Sequence, residues 1–524
     1  MFAKIFGLKR QQPGLRITDG YFIVAGLAAF TTIAFWTITK SSVWFDEAFG
    51  AYMIRFNFAD IARYTAADVH PPLYYWLLKL WSMLFGSTEL GLRSMSVFFG
   101  AIAILFGYLL IHRLFDKKTA RISLIFMVLS PMLVRYSQEM RMYTLVAAIA
   151  LAATYVLTFA AESKKRKPWI IYGILVGLGM WVHYFMALVW IAHWIWRADM
   201  VRQTVSKAKF IKTFFSKNWI LSHIIAVGIF TPWLPFLLFQ ALVIQVYGFW
   251  IPAVTPETLA NFYTNVLFYQ LSSETASWLA VGFFAIIASL AWLAIRVYKS
   301  LNDKQRKSYS LVIILAFAPV VLLLMMSLPP LRSTFVDRYL IPSILFTYIF
   351  IGVTLSLGLR LIKPIARYFV SAAIILCMLI GVVNVWHYGN YAKTANPPAS
   401  NNARDIVQAV ITKSGDNQPI IANSPWLFYE AVFYSTDKHP IYFIDAETQY
   451  KYGSLDMLKY NDDHKIKDLK AFTKINQIVW YVGLPRGGSF SAPYSNWKQL
   501  QKVIFKDSIN GKPAYEAIQY QITQ

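Results

Sequence analysis

Two adjacent carboxylates, Asp46 and Glu47, follow the first apolar run of the sequence. A carboxylate at the edge of a bilayer is costly to bury, so acids in this position are candidates for proton transfer or cation binding. The same residue types also favour the first turn of a helix, where they stabilise free backbone N–H groups. From these residues alone, a catalytic pair and a structural helix start both remain open.

A second polar segment, from Arg135 to Tyr143, separates two apolar runs. On a helix, Glu139 and Tyr143 would share a face. Acidic and basic residues at a membrane edge favour a functional site. The alternative is an interfacial ion pair within an aromatic belt. We take Glu139 as a candidate catalytic acid. The candidate substrate-binding residues in this segment are Tyr136, Gln138 and Arg141.

Polar residues near other apolar runs complete the candidate set. His70 lies in the loop that follows Glu47, His183 lies between two short apolar runs, and Arg338 and Tyr339 begin a late one. Arginine keeps its charge when desolvated and its planar fork matches phosphate oxygens, so Arg338 is a candidate phosphate ligand. A salt bridge to Asp337 or an interaction with lipid head groups is the alternative for Arg338, and a structural role is the alternative for His183.

The composition requires that most of these residues are held by membrane helices. The 524-residue chain is 57% hydrophobic and 15% charged, which leaves too little polar surface for several soluble domains. The formal charge of +24 lies largely in short connections between apolar spans, which argues against a nucleic-acid partner. The single cysteine, Cys377, excludes an intrachain disulfide and a cysteine zinc cluster.

Apolar runs of about 18 residues or more predict transmembrane helices. We predict eleven, with a retained first span and with the fifth and sixth kept separate. They cover residues 20–39, 91–112, 120–136, 142–161, 168–182, 184–197, 218–238, 276–296, 309–328, 339–359 and 368–387.

The basic residues predict the orientation. Six connections hold 26 of the 50 Lys and Arg residues. With eleven spans all six fall on one side, which the positive-inside rule makes cytoplasmic. The N-terminus is then inside and the C-terminus outside, in the cell (plasma or inner) membrane. The candidate site residues lie at exterior helix ends.

The last part of the chain has a soluble composition, with 15 of the 50 basic and 12 of the 26 acidic residues after residue 387. Helix-like and strand-like segments alternate there, which predicts a small α/β layer. We therefore predict a polytopic α-helical membrane protein with a catalytic domain over residues 1–390 and a small extracytoplasmic α/β domain over residues 391–524. The first exterior loop, residues 41–90, is expected to carry interfacial helices.

The shared exterior placement of Asp46, Glu139, His183 and Arg338 suggests one outward-facing cavity. Acids beside a phosphate-binding arginine at the outer leaflet indicate a reaction on a phosphate-linked substrate. Nucleotide-activated donors are normally made in the cytosol, so such a site requires a donor carried across on a lipid. A polyprenyl-phosphate sugar meets this requirement.

At this point the sequence resembles the GT-C class of membrane glycosyltransferases, close to family 39, which comprises protein O-mannosyltransferases and lipid A aminoarabinose transferases. The resemblance covers roughly residues 20–390. It rests on WFDEAF after the first span, VHPPLYYWLLKLW in the same loop, YSQEMRMY after the third span, the HYF triplet and DRYLIPS in a late span.

The resemblance implies inverting transfer of a sugar from a polyprenyl-phosphate-linked donor to an acceptor hydroxyl. It makes Asp46 the base, Glu47 its acidic neighbour, and Arg141 and Arg338 the ligands of the donor phosphate. Glu139 stands near a second acid that some members use around the donor or a divalent metal ion. The usual residue there is Asp, so metal binding by Asp46 and Glu139 is left open.

We therefore expect a glycosyltransferase of the outer face of the cytoplasmic membrane, whose partners are the lipid-linked sugar, membrane lipids and a lipid, glycan or protein acceptor. The α/β tail in place of a β-trefoil domain favours a bacterial-type member. A flippase of polyprenyl-linked glycans is the main alternative, although no inverted repeat supports it. A non-enzymatic receptor that binds through its tail is a further one.

Overall fold

The computed structural model describes residues 17–247, 251–270, 273–358, 361–362, 364–389, 403–415, 417–445, 457–459, 462–483, 496–506, 511 and 513–523. The basic residues predicted at 4–16, and Arg360 and Lys363, lie outside these ranges. The helices up to residue 388 are α1 Ile17–Phe35, α2 Phe45–Met53, α3 Phe58–Ala67, α4 Leu73–Phe85, α5 Glu89–Leu114, α6 Lys117–Val128, α7 Pro131–Ser137, α8 Tyr143–Glu162, α9 Arg166–Val182, α10 Met186–Arg202, α11 Lys207–Phe214, α12 Lys217–Phe230, α13 Leu234–Tyr247, α14 Pro256–Phe268, α15 Ser273–Ser300, α16 Asp303–Met326, α17 Ile341–Gly358 and α18 Pro364–Tyr388.

Helices lie at every apolar run for which a span was predicted. Within the described residues, seven helices are long and apolar enough to cross a membrane, or up to eight if α6 and α7, bent by 56°, form one span. The protein is therefore a multi-pass membrane protein. The number eleven stays a prediction.

The separation of the fifth and sixth runs into two spans is supported by the packing of α9 against α10. The guanidinium of Arg197, near the end of α10, lies 5.7 Å from the ring centre of Trp169, near the start of α9. The Tyr172 hydroxyl lies 3.0 Å from Nδ1 of His193. The two helices therefore run antiparallel, as a hairpin of two spans must.

The described residues fall into two compact units. The first contains residues up to Trp36, Arg93–Gln138 and Met142–His387, and the second contains Thr37–Leu92, Glu139–Arg141 and residues from Tyr388 onward. The first exterior loop thus groups with the C-terminal region and not with the helical bundle. The predicted domain boundary at residue 390 stays a prediction.

Helix α17 forms the centre of the first unit, and nearly all of its residues are buried. Gly352 allows it to approach α6 closely, because a Cβ there would lie 2.6 Å from Cα of Ser123. The Ser343 hydroxyl donates to the main-chain oxygen of Ala316 on α16 at 2.7 Å. Small residues and hydroxyl groups commonly join membrane helices in this way.

The C-terminal part of the second unit is an α/β layer, as predicted. Its elements are α19 Ala403–Lys413, β1 Ile420–Ala422, α20 Pro425–Tyr434, β2 Ile441–Ile444, β3 Lys465–Ile466, α21 Leu469–Ile475, β4 Ile478–Gly483, β5 Trp497–Lys506 and β6 Pro513–Ile522. The strand order is β3-β2-β1-β4-β6-β5, with β1 to β4 parallel and β6 antiparallel to both neighbours. Strands β3, β5 and β6 were not predicted.

The α/β layer packs on the first loop within this unit. Tyr429 of α20 lies against Phe45 and Phe49 of α2, with ring centres 5.7 Å apart in both pairs. Arg404 of α19 is 3.0 Å from the carboxylate of Glu89. Because they touch, the first loop and the C-terminal region lie on the same side of the membrane, which requires an even number of crossings between them. The ten spans predicted after the loop satisfy this requirement.

Candidate active site

Asp46 and Glu47 occupy the first turn of α2, but only one of them faces outward. The Asp46 side chain is 22% exposed, whereas Glu47 is fully buried. Glu47 accepts hydrogen bonds from the backbone N–H of Trp44 at 3.4 Å and of Met140 at 2.8 Å. Glu47 therefore joins the start of α2 to the segment Glu139–Arg141, while Asp46 is accessible to a substrate.

The segment that carries Glu139 and Arg141 is not helical. Helix α7 ends at Ser137 and α8 begins at Tyr143. The expectation that Glu139 and Tyr143 share a helix face is therefore wrong. The physical reason is that Glu47 binds the Met140 N–H, which a continuing helix would have used internally.

Arg141 is buried beside Asp46. Its Nη1 donates to the main-chain oxygen of Asp46 and to the hydroxyl of Tyr75, both at 3.2 Å. Its Nη2 lies 3.9 Å from the Asp46 carboxylate. The guanidinium thus fixes the backbone of Asp46 and neutralises part of the charge of its side chain.

Tyr74 and Tyr75, at the start of α4, are fully buried next to Arg141. Burial raises the pKa of both phenols well above the usual value, and the Arg141 charge opposes this only in part. Both residues therefore remain neutral donors. They stand in the motif VHPPLYYW, but nothing in its spacing distinguished them from core aromatics.

His70 lies in the same group, with Nδ1 3.4 Å from the Asp68 carboxylate. Burial lowers the pKa of His70 below its usual value, and the Arg141 charge acts in the same direction, while Asp68 opposes both. The imidazole is therefore neutral near pH 7. It is suited to hydrogen bonding.

Glu139 is fully buried. Over the described part of the chain, no three histidine, cysteine or acidic side chains are grouped as a metal site requires. The residues present therefore do not by themselves fit a metal bound through Asp46 and Glu139.

The remaining candidates lie in the first unit, around Arg338. Its guanidinium lies 5.9 Å from the ring centre of Tyr143 and 5.7 Å from that of Tyr339. The His183 ring is 5.1 Å from Tyr339. We call Arg338, Tyr143, His183 and Tyr339 the arginine–aromatic cluster. Aromatic faces attract a guanidinium electrostatically.

The Asp337 carboxylate forms its hydrogen bonds with groups other than the side chain of Arg338. It accepts from the Tyr136 hydroxyl and from the Arg338 backbone N–H, both at 2.7 Å. Tyr136 therefore orients the start of the cluster. Gln138 donates to the main-chain oxygen of Ala34 at 2.9 Å, which is a structural contact within the helical bundle.

The structure thus groups the candidates in two sets. Asp46, Glu47, His70, Glu139 and Arg141 lie in the second unit, and Tyr136, Gln138, His183, Arg338 and Tyr339 lie in the first. The convergence of all of them in one cavity stays a prediction. Each set has one feature useful in glycosyl transfer: an accessible carboxylate in the second unit and a buried guanidinium in the first.

The fold is of the GT-C type. Residues 69–236 match the family model described as dolichyl-phosphate-mannose-protein mannosyltransferase. The matched range contains HPPLYYW, YSQEMRMY and HYF, whereas Asp46 and Arg338 lie outside it.

Solved structures have the same fold. ArnT from Cupriavidus metallidurans in the apo state aligns with a TM-score of 0.62 at 14% identity, covering 96% of this chain and 98% of that one. ArnT bound to undecaprenyl phosphate gives 0.57 at 13%, covering 95% and 98%. The Archaeoglobus fulgidus oligosaccharyltransferase in complex with zinc and sulfate gives 0.51 at 12%, covering 88% and 67%. No curated protein matches the sequence. The resemblance derived from the motifs is confirmed, and the chain has an ArnT-like GT-C fold.

Proposed function

We propose that the protein is an inverting glycosyltransferase that moves a sugar from a polyprenyl-phosphate-linked donor to an acceptor hydroxyl at the outer face of the cytoplasmic membrane. The observation that carries the proposal is the Asp46 carboxylate, which remains accessible while its neighbours Glu47 and Arg141 are buried around it. An accessible carboxylate on a rigid support is what a general base requires.

The donor class is supported by the relatives. The description of the matching family names a dolichyl-phosphate sugar as the donor, and one ArnT structure holds undecaprenyl phosphate. Both compounds are polyprenyl phosphates. The sugar, hexose or pentose, and the acceptor, a lipid, a glycan or a protein, are left open by these descriptions.

In the proposed reaction, Asp46 takes the proton of the acceptor hydroxyl as its oxygen attacks the anomeric carbon. The bond between that carbon and the phosphate oxygen breaks, and the polyprenyl phosphate leaves with the bonding electrons. Attack from the opposite face inverts the configuration through an oxocarbenium-like state. Because the leaving group is a stabilised anion, it needs a positive charge more than a general acid.

The Arg338 guanidinium is the proposed partner of the leaving phosphate. Its support is its place among aromatic rings, with the Asp337 carboxylate bonded to Tyr136 and to the Arg338 backbone N–H. Arg141 was expected to share this role. Its contacts to Asp46 and Tyr75 favour a positioning role instead, in which it holds the base.

The other candidates have supporting roles in this proposal. Glu47 fixes the first turn of α2, and His70 and Glu139 form the buried polar surroundings of Asp46 and Arg141. Tyr339 faces the Arg338 guanidinium, and His183 packs against Tyr339. The C-terminal α/β layer is proposed to be extracytoplasmic, because it touches the first loop and the basic connections are expected on the opposite side.

The test is sugar transfer by the purified full-length protein in nanodiscs, with a panel of polyprenyl-phosphate sugars and an envelope extract as acceptor. Asp46→Asn should lower the rate at least about 100-fold, because general-base catalysis contributes that much. Asp60→Asn makes the same chemical change in the same loop, where Asp60 bonds to Asn57, and should leave the rate nearly unchanged. Transfer at the normal rate by folded Asp46→Asn removes the base assignment. Transbilayer movement of the donor by the wild type without a covalent product would instead indicate a flippase.

A further inference from the structure

The backbone that leads into α2 is hydrogen-bonded to the C-terminal layer of the same unit. The N–H of Val43, three residues before Asp46, donates to the hydroxyl of Tyr434 at 2.7 Å. Val43 is fully buried, so its N–H is satisfied by the protein and not by water. Tyr434, the last residue of α20, therefore holds the backbone just before the proposed base.

The Tyr434 hydroxyl is also a donor, which gives it a defined direction. It donates to the carboxylate of Glu89 at the start of α5. A hydroxyl has one proton, so this donation leaves its lone pairs for the Val43 N–H. Glu89 is itself buried and lies 3.0 Å from the guanidinium of Arg404. Tyr434→Phe would remove the acceptor of a buried N–H and one donor of a buried carboxylate.

Arg404, in the first turn of α19, bonds to three residues upstream of this point. Its Nη1 donates to the main-chain oxygen of Thr39 at 3.0 Å, and its Nη2 donates to that of Lys40 at 3.3 Å. Its backbone N–H donates to the Ser42 hydroxyl at 3.2 Å. The stretch that precedes α2 is therefore bonded at several points to two helices of the C-terminal layer.

A further contact fixes α2 itself. The ring centre of Tyr429 on α20 lies 5.7 Å from those of Phe45 and Phe49 and 5.4 Å from that of Tyr52. These three residues are spaced by four and three positions, so they form one face of α2. All three pairs are edge-to-face, a preferred arrangement of aromatic rings. Helix α20 therefore fixes the rotation of α2 about its axis, which sets the direction of the Asp46 side chain.

The proposed base is thus supported by two separate sets of contacts. Glu47 and Arg141 hold the first turn of α2 against the segment Glu139–Arg141, and the C-terminal layer holds the preceding backbone and the aromatic face. The Asp46 side chain remains 22% exposed between them. A displacement of about 1 Å in a catalytic group can cost about 100-fold in rate, so such supports matter for catalysis.

We propose that the C-terminal layer positions the base of the reaction: Tyr434, Arg404 and Tyr429 hold α2 so that Asp46 meets the acceptor hydroxyl. The inference rests on the proposed role of Asp46 as general base. The three side chains are positioning residues, because they act through Asp46. Since the donor phosphate is proposed to bind Arg338 in the first unit, loss of one support should lower kcat and leave the KM for the donor nearly unchanged.

Steady-state transfer by the purified full-length protein in nanodiscs tests the inference, with the polyprenyl-phosphate sugar that the wild type uses best and an envelope extract as acceptor. Tyr434→Phe should lower kcat about tenfold and change the KM for the donor less than about twofold. In an Asp46→Asn background, Tyr434→Phe should lower the residual rate less than about twofold, because no base remains to be positioned. Arg404→Gln changes a side chain that is 31% exposed and should give the same pattern, so it decides the question if Tyr434→Phe does not fold.

Tyr309→Phe is the matched control. It makes the same chemical change at a buried tyrosine of the first unit, whose hydroxyl lies 2.6 Å from that of Thr354 and joins α16 to α17. It should lower the melting temperature and leave kcat per folded molecule nearly unchanged.

The inference is overturned by a normal kcat for folded Tyr434→Phe, or for Arg404→Gln where Tyr434→Phe does not fold. A raised KM with a normal kcat overturns it too, as does a loss of kcat of equal size in Tyr309→Phe or in the Asp46→Asn background. Normal transfer by Asp46→Asn removes the base assignment together with this inference. Slow transfer by Asp46→Asn with normal transfer by Tyr434→Phe removes this inference alone.

Discussion

The Arg141 guanidinium lies 3.2 Å from the main-chain oxygen of Asp46 and 3.9 Å from its carboxylate. One buried side chain therefore fixes both the backbone and the side chain of the proposed base. Arg141 comes from a three-residue segment between two helices of the other unit, 95 positions further along the chain.

Replacing the two adjacent acids should give opposite results. Asp46→Asn should abolish most of the transfer at an unchanged melting temperature, because Asp46 is partly exposed. Glu47→Gln should lower the melting temperature. The side-chain NH2 group of glutamine would face the backbone N–H of Trp44 or Met140, and two donors cannot form a hydrogen bond with each other. Rate per folded molecule and thermal unfolding in detergent measure the two effects. The reverse pattern would make Glu47 the base.

Tyr75→Phe should reveal the positioning role of Arg141. The change removes the hydroxyl 3.2 Å from Nη1 and should cost about 1 kcal/mol of stability. It should also lower kcat, since Arg141 becomes free to move away from Asp46. In a double-mutant cycle with Arg141→Lys, the loss of kcat in the double mutant, expressed as a free energy, should be smaller than the sum of the losses in the two single mutants. Full additivity would show that Tyr75 and Arg141 act separately.

Arg338→Gln should weaken the interaction with the leaving phosphate, with a loss in rate of about 100-fold. Arg338→Lys keeps the charge but not the planar fork, so its loss should be smaller. The measurement is the dependence of rate on donor concentration. A lower melting temperature with normal kcat and KM in the folded fraction would indicate a structural residue.

His70 should make the protein less stable at acidic pH. Its folded-state pKa is lowered, so below about pH 6.5 the unfolded chain takes up a proton that the folded chain does not. The free energy of unfolding therefore falls as pH decreases through this range, and the term vanishes above it. His70→Gln retains a donor for Asp68. When the pH is lowered from 7.5 to 5.5, the melting temperature of this variant should fall less than that of the wild type. Equal losses would contradict the assignment of His70 as a neutral buried group.

The contact of the first loop with the C-terminal layer predicts a common compartment. In a Cys377→Ser background, cysteines at the exposed positions Ser87 and Gln408 should both react with an impermeant maleimide in intact cells. A cysteine at Lys118, in a predicted cytoplasmic connection, should react only after permeabilisation. Labelling of position 118 in intact cells, with positions 87 and 408 protected, would show that the orientation is the opposite of the proposed one.

The amino-acid sequence alone determined the helical membrane class, the runs that form helices and the motifs at their ends. These features depend on local hydrophobicity and on the type of each side chain. The separate fifth and sixth spans followed from the distribution of basic residues and agree with the antiparallel packing of α9 and α10. Strand β5 was missed because it is largely polar and exposed, and its sequence lacks a clear apolar alternation.

Tertiary structure alone decided which of two adjacent acids is accessible, because burial of Glu47 depends on the distant Met140 N–H. It also decided that Glu139 lies outside a helix, that Arg141 holds Asp46, and that the first loop packs with the C-terminal layer. Each of these facts rests on a contact between residues far apart in the chain. Sequence periodicity reports which face of an element is apolar, but it does not report which distant group that face will meet.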